Sequence, residues 1–286
     1  MSLSDSSVSR VRLMDLSVGR VEDVRRGDDP RGRKAEGFSP HFQICLPYRG
    51  FFVWHVGEDE VVGDANQVLF VTGGERYHIS DPLHRGYAEL IVTPDVDVVS
   101  ELAHVNGVPL SGHPLFRRRH RCASPRQQSY RARFMHWATD GSIKDDLEEE
   151  ESVLALMRSA LQDEGRGGGA CSASTARLIR RTKEFLESEL VNRVHLEDVG
   201  RAVGASPVYL TDTFRRIEGI ALHQYLTQLR LARSLVELPY ATDLTTLALD
   251  VGFSSHSHFS AAFRRAFACT PSAFRQAMRS GLRPSA

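Results

Sequence analysis

Apolar positions change rhythm twice along this chain. Up to about Asp97 they fall in short or alternating runs broken by Gly, Pro and Asp. Phe42-Gln43-Ile44-Cys45-Leu46, Phe51-Phe52-Val53-Trp54-His55-Val56, Gln67-Val68-Leu69-Phe70-Val71 and Tyr87-Ala88-Glu89-Leu90-Ile91-Val92 have strand length and strand composition. They predict a β-sandwich or small barrel. From about Val96 to Gln162 the spacing is helical. Val153, Leu154, Met157 and Leu161 share one helical face behind the acidic run Glu148 to Glu151, whose charge suits a helix N-terminus. Residues 163–173 are glycine-rich and have no apolar rhythm, so they predict a linker between a domain at 1–162 and another at 174–286.

The C-terminal stretch contains an internal repeat. One copy runs from Leu196 to Arg216, the other from Leu244 to Arg265. In each, a short amphipathic helix carries a small residue (Gly200, Ala248) four positions before a glycine (Gly204, Gly252). The small residue lets the next helix approach, and the glycine can take the positive φ of a sharp turn. Ser206 with Pro207, and Ser254 or Ser255, then open a second helix. Leu210 and Phe214 in the first copy, and Phe259 and Phe263 in the second, sit four apart and predict core contacts. Tyr225 stands eleven residues beyond Phe214, as Phe274 does beyond Phe263, and Arg230 and Arg279 correspond at sixteen.

Composition adds a division of charge. The net formal charge of the 286 residues is zero, with hydrophobic content of 41%. From Ser174 onward there are 15 Lys plus Arg against 10 Asp plus Glu, which leaves 21 against 26 before it. A basic C-terminal part suits a nucleic-acid partner. The four cysteines lie far apart with no CxxC pair, which predicts reduced thiols in a cytoplasmic protein. No signal-peptide or membrane-spanning stretch is seen.

These residues resemble the AraC/XylS family of bacterial transcription regulators over about Ala176 to Met278. The resemblance rests on Ser206-Pro207-x-Tyr209-Leu210 through Phe214, on Gly219 and Arg230, on Val251-Gly252-Phe253-Ser254-Ser255, and on Thr270-Pro271-Ser272-x-Phe274-Arg275. It implies two helix-turn-helix units joined by a long helix from Leu222 to Leu238. Their second helices would enter successive major grooves roughly 34 Å apart. Carried over residue by residue, it places Val208, Thr211 and Asp212, then His256, Ser257, Ser260 and Ala261, toward bases. Arg215, Arg216, Arg264 and Arg265 fall to phosphates, which position without specifying. Asp212 and Ala261 depart from the polar or basic readers usual there: a carboxylate accepts from cytosine N4, and a methyl touches only apolar groups.

Less specifically, Gly63-Asp64, Val68 to Val71 and Gly73-Gly74-Glu75-x-x-His78 resemble the cupin-like sensing domain of the same family. The expected fold is therefore α+β and multidomain: an N-terminal cupin-like β-barrel with flanking helices, and a C-terminal all-α domain of two helix-turn-helix units. His41, His55 and His78 are scattered with no HxH pair, and His113, His120 and Cys122 lack a fourth ligand, so no metal and no cofactor are expected. The aromatic residues Phe38, Phe42, Tyr48, Phe51, Phe52, Trp54 and Tyr77 supply core and a share of any pocket wall. The expected protein is not an enzyme but a DNA-binding activator, answering a small-molecule effector through its N-terminal domain. Double-stranded DNA, RNA polymerase and a second copy of the chain are the expected partners. The alternatives are a regulator whose β-domain only dimerises, through helix 150–162 in particular, and a cupin-type metal-dependent enzyme with an attached DNA-binding domain.

Overall fold

The computed structural model describes residues 8–28, 35–105, 119–162 and 172–280. The described chain divides into two compact units. One holds the residues up to His120 together with 138–162, the other 121–137 and 172–280. Most of the expected linker, residues 163–171, lies outside the described residues, as do His113, Arg117 and Arg118.

The first unit contains β1 (Val8–Leu16), β2 (Gly19–Arg26), β3 (Ala35–Phe38), β4 (Gln43–Arg49), β5 (Phe52–Val56), β6 (Asp59–Gly63), β7 (Gln67–Val71), β8 (Arg76–Ser80) and β9 (Tyr87–Pro94). Helix α1 (Val96–Val105) follows, and the short β10 (His120–Cys122) straddles the division at His120. The strands form a six-stranded sheet in the order β1-β2-β9-β4-β7-β10 and a four-stranded sheet in the order β3-β8-β5-β6. Val24, Cys45, Leu69, Val71, Tyr87 and Ile91 of the larger sheet pack with Phe52, Trp54, Val56, Val61 and Ile79 of the smaller. This is a two-sheet arrangement, and the expected closure into a barrel is not seen. The connections explain why. Between β6 and β7, Asp64 accepts the backbone N–H of Asn66 at its carboxylate and that of Gln67 at its carbonyl. That tight turn carries the chain from one sheet to the other, so the ladder ends there. Gly50, with φ +78°, does the same between β4 and β5.

Glu89 lies on the inward side of β9, in step with Tyr87 and Ile91, which belong to the core. It is 3% exposed, and its Oε2 has no hydrogen-bond partner among the described residues. Burial pushes its carboxyl up to about 8, against the opposing pull of Arg10. A folded-state value above the ordinary 4.5 means that the folded unit keeps a proton the unfolded chain gives up. Stability is then greatest below the ordinary value and falls as pH rises toward about 8. Glu89→Gln, neutral and of the same shape, should flatten this slope and raise the thermal midpoint at pH 8. A midpoint that still falls with the parent's slope across this window would assign the effect to another group.

Chain order continues with α2 (Pro125–Thr139) and α3 (Asp146–Leu161). Asp145 caps α3 by accepting the N–H of Leu147. Val153, Met157 and Leu161 are buried as the spacing predicts, but Leu156 and Ala160 complete that face while Leu154 is half-buried. The second unit contains α4 (Ala173–Ser188), α5 (Leu196–Val203), α6 (Pro207–Glu218), α7 (Leu222–Glu237), α8 (Leu244–Asp250), α9 (His256–Phe267) and α10 (Pro271–Arg279). Ala132 of α2 shares a core with Leu235, Leu247, Phe259, Phe263 and Phe274.

Candidate nucleic-acid interface

Two short helix pairs, α5–α6 and α8–α9, are built by the same local devices. Helix α5 ends at Gly204 with φ +73°, and Ala205 N–H turns back to the Gly200 carbonyl at 3.0 Å. A Cβ on Gly200 would stand 2.7 Å from the Ala205 carbonyl oxygen, so no side chain fits at that close approach. Ser206 then caps α6 by accepting the N–H of Tyr209, with Pro207 opening the helix. In the second pair Phe253 N–H returns to Ala248 at 2.9 Å, and Ser255, rather than Ser254, caps α9. Gly252 has φ +92°, and a Cβ there would meet the Leu190 carbonyl oxygen at 2.6 Å. Both predicted turn glycines therefore sit where an L side chain is strained.

Corresponding residues, such as Phe214 and Phe263, are 49 apart, and the packing repeats with them. Tyr225 meets Phe214 edge-on at 5.3 Å, and Phe274 meets Phe263 edge-on at 5.6 Å. Arg230 donates to the Leu190 and Asn192 carbonyls at 2.8 and 2.7 Å. Its counterpart Arg279 donates to the Pro239 carbonyl from two nitrogens, at 3.3 and 3.0 Å. Leu190 and Pro239 are themselves 49 apart. These two arginines are internal ties that bind a later helix to the chain leaving an earlier one. Helix α7 is the fourth helix of the first set, α4 to α7, and the first helix of the second, α7 to α10.

The residues expected to face DNA form one exposed stripe on each second helix. Leu210, Thr213, Phe214 and Ile217 bury the inner side of α6. At about 100° per residue, Val208, Thr211, Asp212 and Arg215 fall together on the opposite side, within about 100° of one another. Val208 is 72% exposed, Thr211 is half-buried, and Asp212, Arg215 and Arg216 are exposed. On α9, with Phe259, Ala262 and Phe263 buried, the matching stripe is Ser257, Ser260, Ala261 and Arg264. His256 and Arg265 flank it on either side and are exposed. Thr211 spends its hydroxyl on the Pro207 and Val208 carbonyls, and Ser260 Oγ lies 3.3 Å from His256 Nε2.

A buried ion pair that the repeat does not signal sits behind the first stripe. Lys183 of α4 stands 2.9 Å from Glu218 at the end of α6, with the two side chains 2% and 4% exposed. The lysine lies 5.3 Å over the Tyr225 ring. Cys122 Sγ approaches the Glu218 carboxylate and carbonyl at 3.7 Å each.

Comparison with known proteins agrees with this geometry. Residues 199–277 match a family model described as a helix-turn-helix domain. The chain is 31% identical over 103 residues to the regulatory protein SoxS of Salmonella typhimurium, covering 36% of this chain and 96% of SoxS. It is 29% identical over 108 residues to the regulatory protein PocR of the same species, but spans only 35% of that protein's length. Among solved structures, a transcriptional regulator with an AraC-type DNA-binding domain from Chromobacterium violaceum is 26% identical. That likeness covers 37% of this chain and 96% of the other, with a TM-score of 0.35. Nearly the whole of SoxS is matched by the segment that forms the two helix-turn-helix units, and on that ground the chain belongs to the AraC family of DNA-binding transcription regulators.

Proposed function

We propose that the two stripes read one stretch of double-stranded DNA in a sequence-specific way. Val208, Thr211 and Asp212 of α6 and His256, Ser257, Ser260 and Ala261 of α9 face the bases, and Arg215, Arg216, Arg264 and Arg265 hold phosphates. The observation that carries this reading is the repetition itself: the matched positions Val208 and Ser257, Asp212 and Ala261, and Arg215 and Arg264 are exposed in both repeats, Thr211 and Ser260 are half-buried in both, and an arginine pair closes each stripe. Val208 and Ala261 can touch thymine methyl groups and Asp212 can accept from cytosine N4, so hydrogen-bonded readers are few. Selection of bound sequences from random duplexes tests the assignment. Arg264→Ala should weaken binding about equally on every sequence and lower the salt slope by about one. His256→Ala should change the preferred bases, and an unaltered motif would remove His256 from the readers.

The remaining assignments concern the sensing half. In this reading residues 1–162 form a cupin-like effector and dimerisation domain and 174–286 bind DNA. The protein works in the cytoplasm as a homodimeric activator that engages RNA polymerase. A cavity of about 550 Å³ in the first unit, bounded by Pro40, His41, Phe42, Gly73, Pro94 and Val99, supports a small-molecule effector, since sites for such ligands have this size and apolar character. The competing reading is a metal-dependent cupin enzyme. His55 stacks on His78 at 4.3 Å and pairs with Ser80 at 2.8 Å, which favours a structural use of these rings. Stoichiometric iron, manganese or zinc in the purified protein would reverse that preference.

A further inference from the structure

Beside the α6 stripe lies a groove of about 390 Å³ whose walls are Leu186, Val194, Leu196, Val199, Leu222 and Leu226. Its size falls in the range of roughly 300–1,000 Å³ typical of small-molecule sites. Thr211, Asp212, Arg215 and His223 form its polar rim. The Asp212, Arg215 and His223 side chains make no hydrogen bond or ion pair with the described residues. The first turn of α7 opens at the same rim and carries the positive end of the helix dipole; the Ala221 carbonyl takes the Gln224 N–H at 3.0 Å, and the N–H groups of Leu222 and His223 precede the first helical bond. One carboxylate is thus set against a guanidinium, an imidazole and a helix N-terminus. The rim favours an anion and the walls favour an aliphatic chain.

At the second helix-turn-helix the same place is closed. The residue corresponding to Leu226, 49 positions on, is Arg275. Its Nη1 donates to the Ala241 carbonyl at 3.0 Å, tying α10 to the segment before α8. Where the second helix-turn-helix has this tie, the first has a leucine and an open apolar wall.

We propose that the first helix-turn-helix, with the helices α4 and α7 beside it, binds an amphipathic monocarboxylate, its chain against Leu186, Leu196 and Leu226 and its carboxylate against Arg215 and His223. An occupant there covers Thr211, Asp212 and Arg215 and excludes DNA from α6. The exclusion rests on the DNA-reading role proposed above, whereas the binding itself does not.

The full chain is titrated calorimetrically with decanoate, with decanol and decyltrimethylammonium as controls of equal chain length. Decanoate should bind, and the controls should bind at least about tenfold more weakly, because charge-assisted contacts are lost. Leu226→Arg, which copies Arg275, and Leu196→Trp, at a lip position 40% exposed, should each remove one bound equivalent of decanoate. Circular dichroism establishes that the variants are folded, and Leu196→Trp carries the test alone if Leu226→Arg does not fold. In parallel, the apparent Kd for a mixed-sequence duplex at low salt should rise in proportion to decanoate without levelling off, as mutual exclusion requires. A plateau would indicate coupling from a separate site and would overturn the exclusion. Undiminished decanoate binding in the folded variants, or none in the parent, would overturn the groove. A parent that binds decanoate but no duplex would instead refute the DNA-reading assignment and leave the groove standing.

Discussion

Phe263→Ala should melt the second helix-turn-helix and abolish DNA binding while the β-rich unit stays folded. Phe263 is fully buried and stands at the centre of an aromatic cluster, with Phe267, Phe259 and Phe274 at 4.5, 5.5 and 5.6 Å. Leu235, Leu247 and Val251 belong to the same core. Deleting such a ring costs roughly 3–5 kcal/mol, a large part of the roughly 5–15 kcal/mol that holds a whole domain folded. Helix α9 is fixed from beneath mainly by Phe259, Ala262 and Phe263, so little else holds it once the ring is gone. Limited proteolysis beside size-exclusion chromatography reads the result. The C-terminal fragment should be digested and the N-terminal core should survive with its hydrodynamic behaviour unchanged. Digestion of both at one rate would mean that the chain unfolds as a single cooperative body.

Lys183→Met should be nearly as damaging, for an electrostatic reason. The Lys183–Glu218 pair is almost wholly out of water. Removing the lysine leaves the Glu218 carboxylate buried without it, and breaking a buried pair from one side costs about 3–5 kcal/mol. The double variant Lys183→Met/Glu218→Leu removes both charges and should recover most of the loss, because apolar replacements of buried pairs are often neutral. Urea unfolding of the single and double variants separates the two effects. A single variant within about 0.5 kcal/mol of the parent, the usual range for exposed positions, would show that the pair is solvated in solution. Glu218 ends α6 and Tyr225 packs against Phe214, so on the proposed reading a loosened pair should also blur the sequence preference of the first helix-turn-helix.

What could be read in advance follows the chemistry of each segment. The two helix-turn-helix units were open to inspection because the same small residue, glycine and cap recur at fixed spacing. Strands β4, β5, β7 and β9 were visible because they are nearly continuous apolar runs. Strands β1 and β2 were not. Their sequences, VSRVRLMDL and GRVEDVRR, are charged, yet Glu22, Asp23 and Arg26 are buried. Arg10 answers Glu22 at 3.0 Å, and Tyr48 donates to Asp23 at 2.7 Å. Polar groups satisfied by distant partners leave no apolar rhythm. The same holds for α2, whose buried face includes Gln127, Gln128 and Arg131, and whose place beside the C-terminal helices no local pattern announced. On α6 and α9 the family resemblance named positions that lie on the outer side of each helix, but no local pattern showed that Arg230 and Arg279 point inward as ties, or that Lys183 and Glu218 pair.

The double membership of α7 has a consequence for the DNA that such a protein can use. A continuous helix that completes one helix-turn-helix and begins the next is a ruler with no adjustable joint. One extra residue within it would turn α9 by about 100° relative to α6 and carry it about 1.5 Å further along, a rotation that moves the second stripe off a groove the first still occupies. Two sites tethered by a flexible chain can drift apart on a chromosome by several base pairs and still be bridged. On the proposed reading of DNA by both α6 and α9, the permitted separation is written into the length of one helix, so an insertion between the two segments they read should not be followed by the protein.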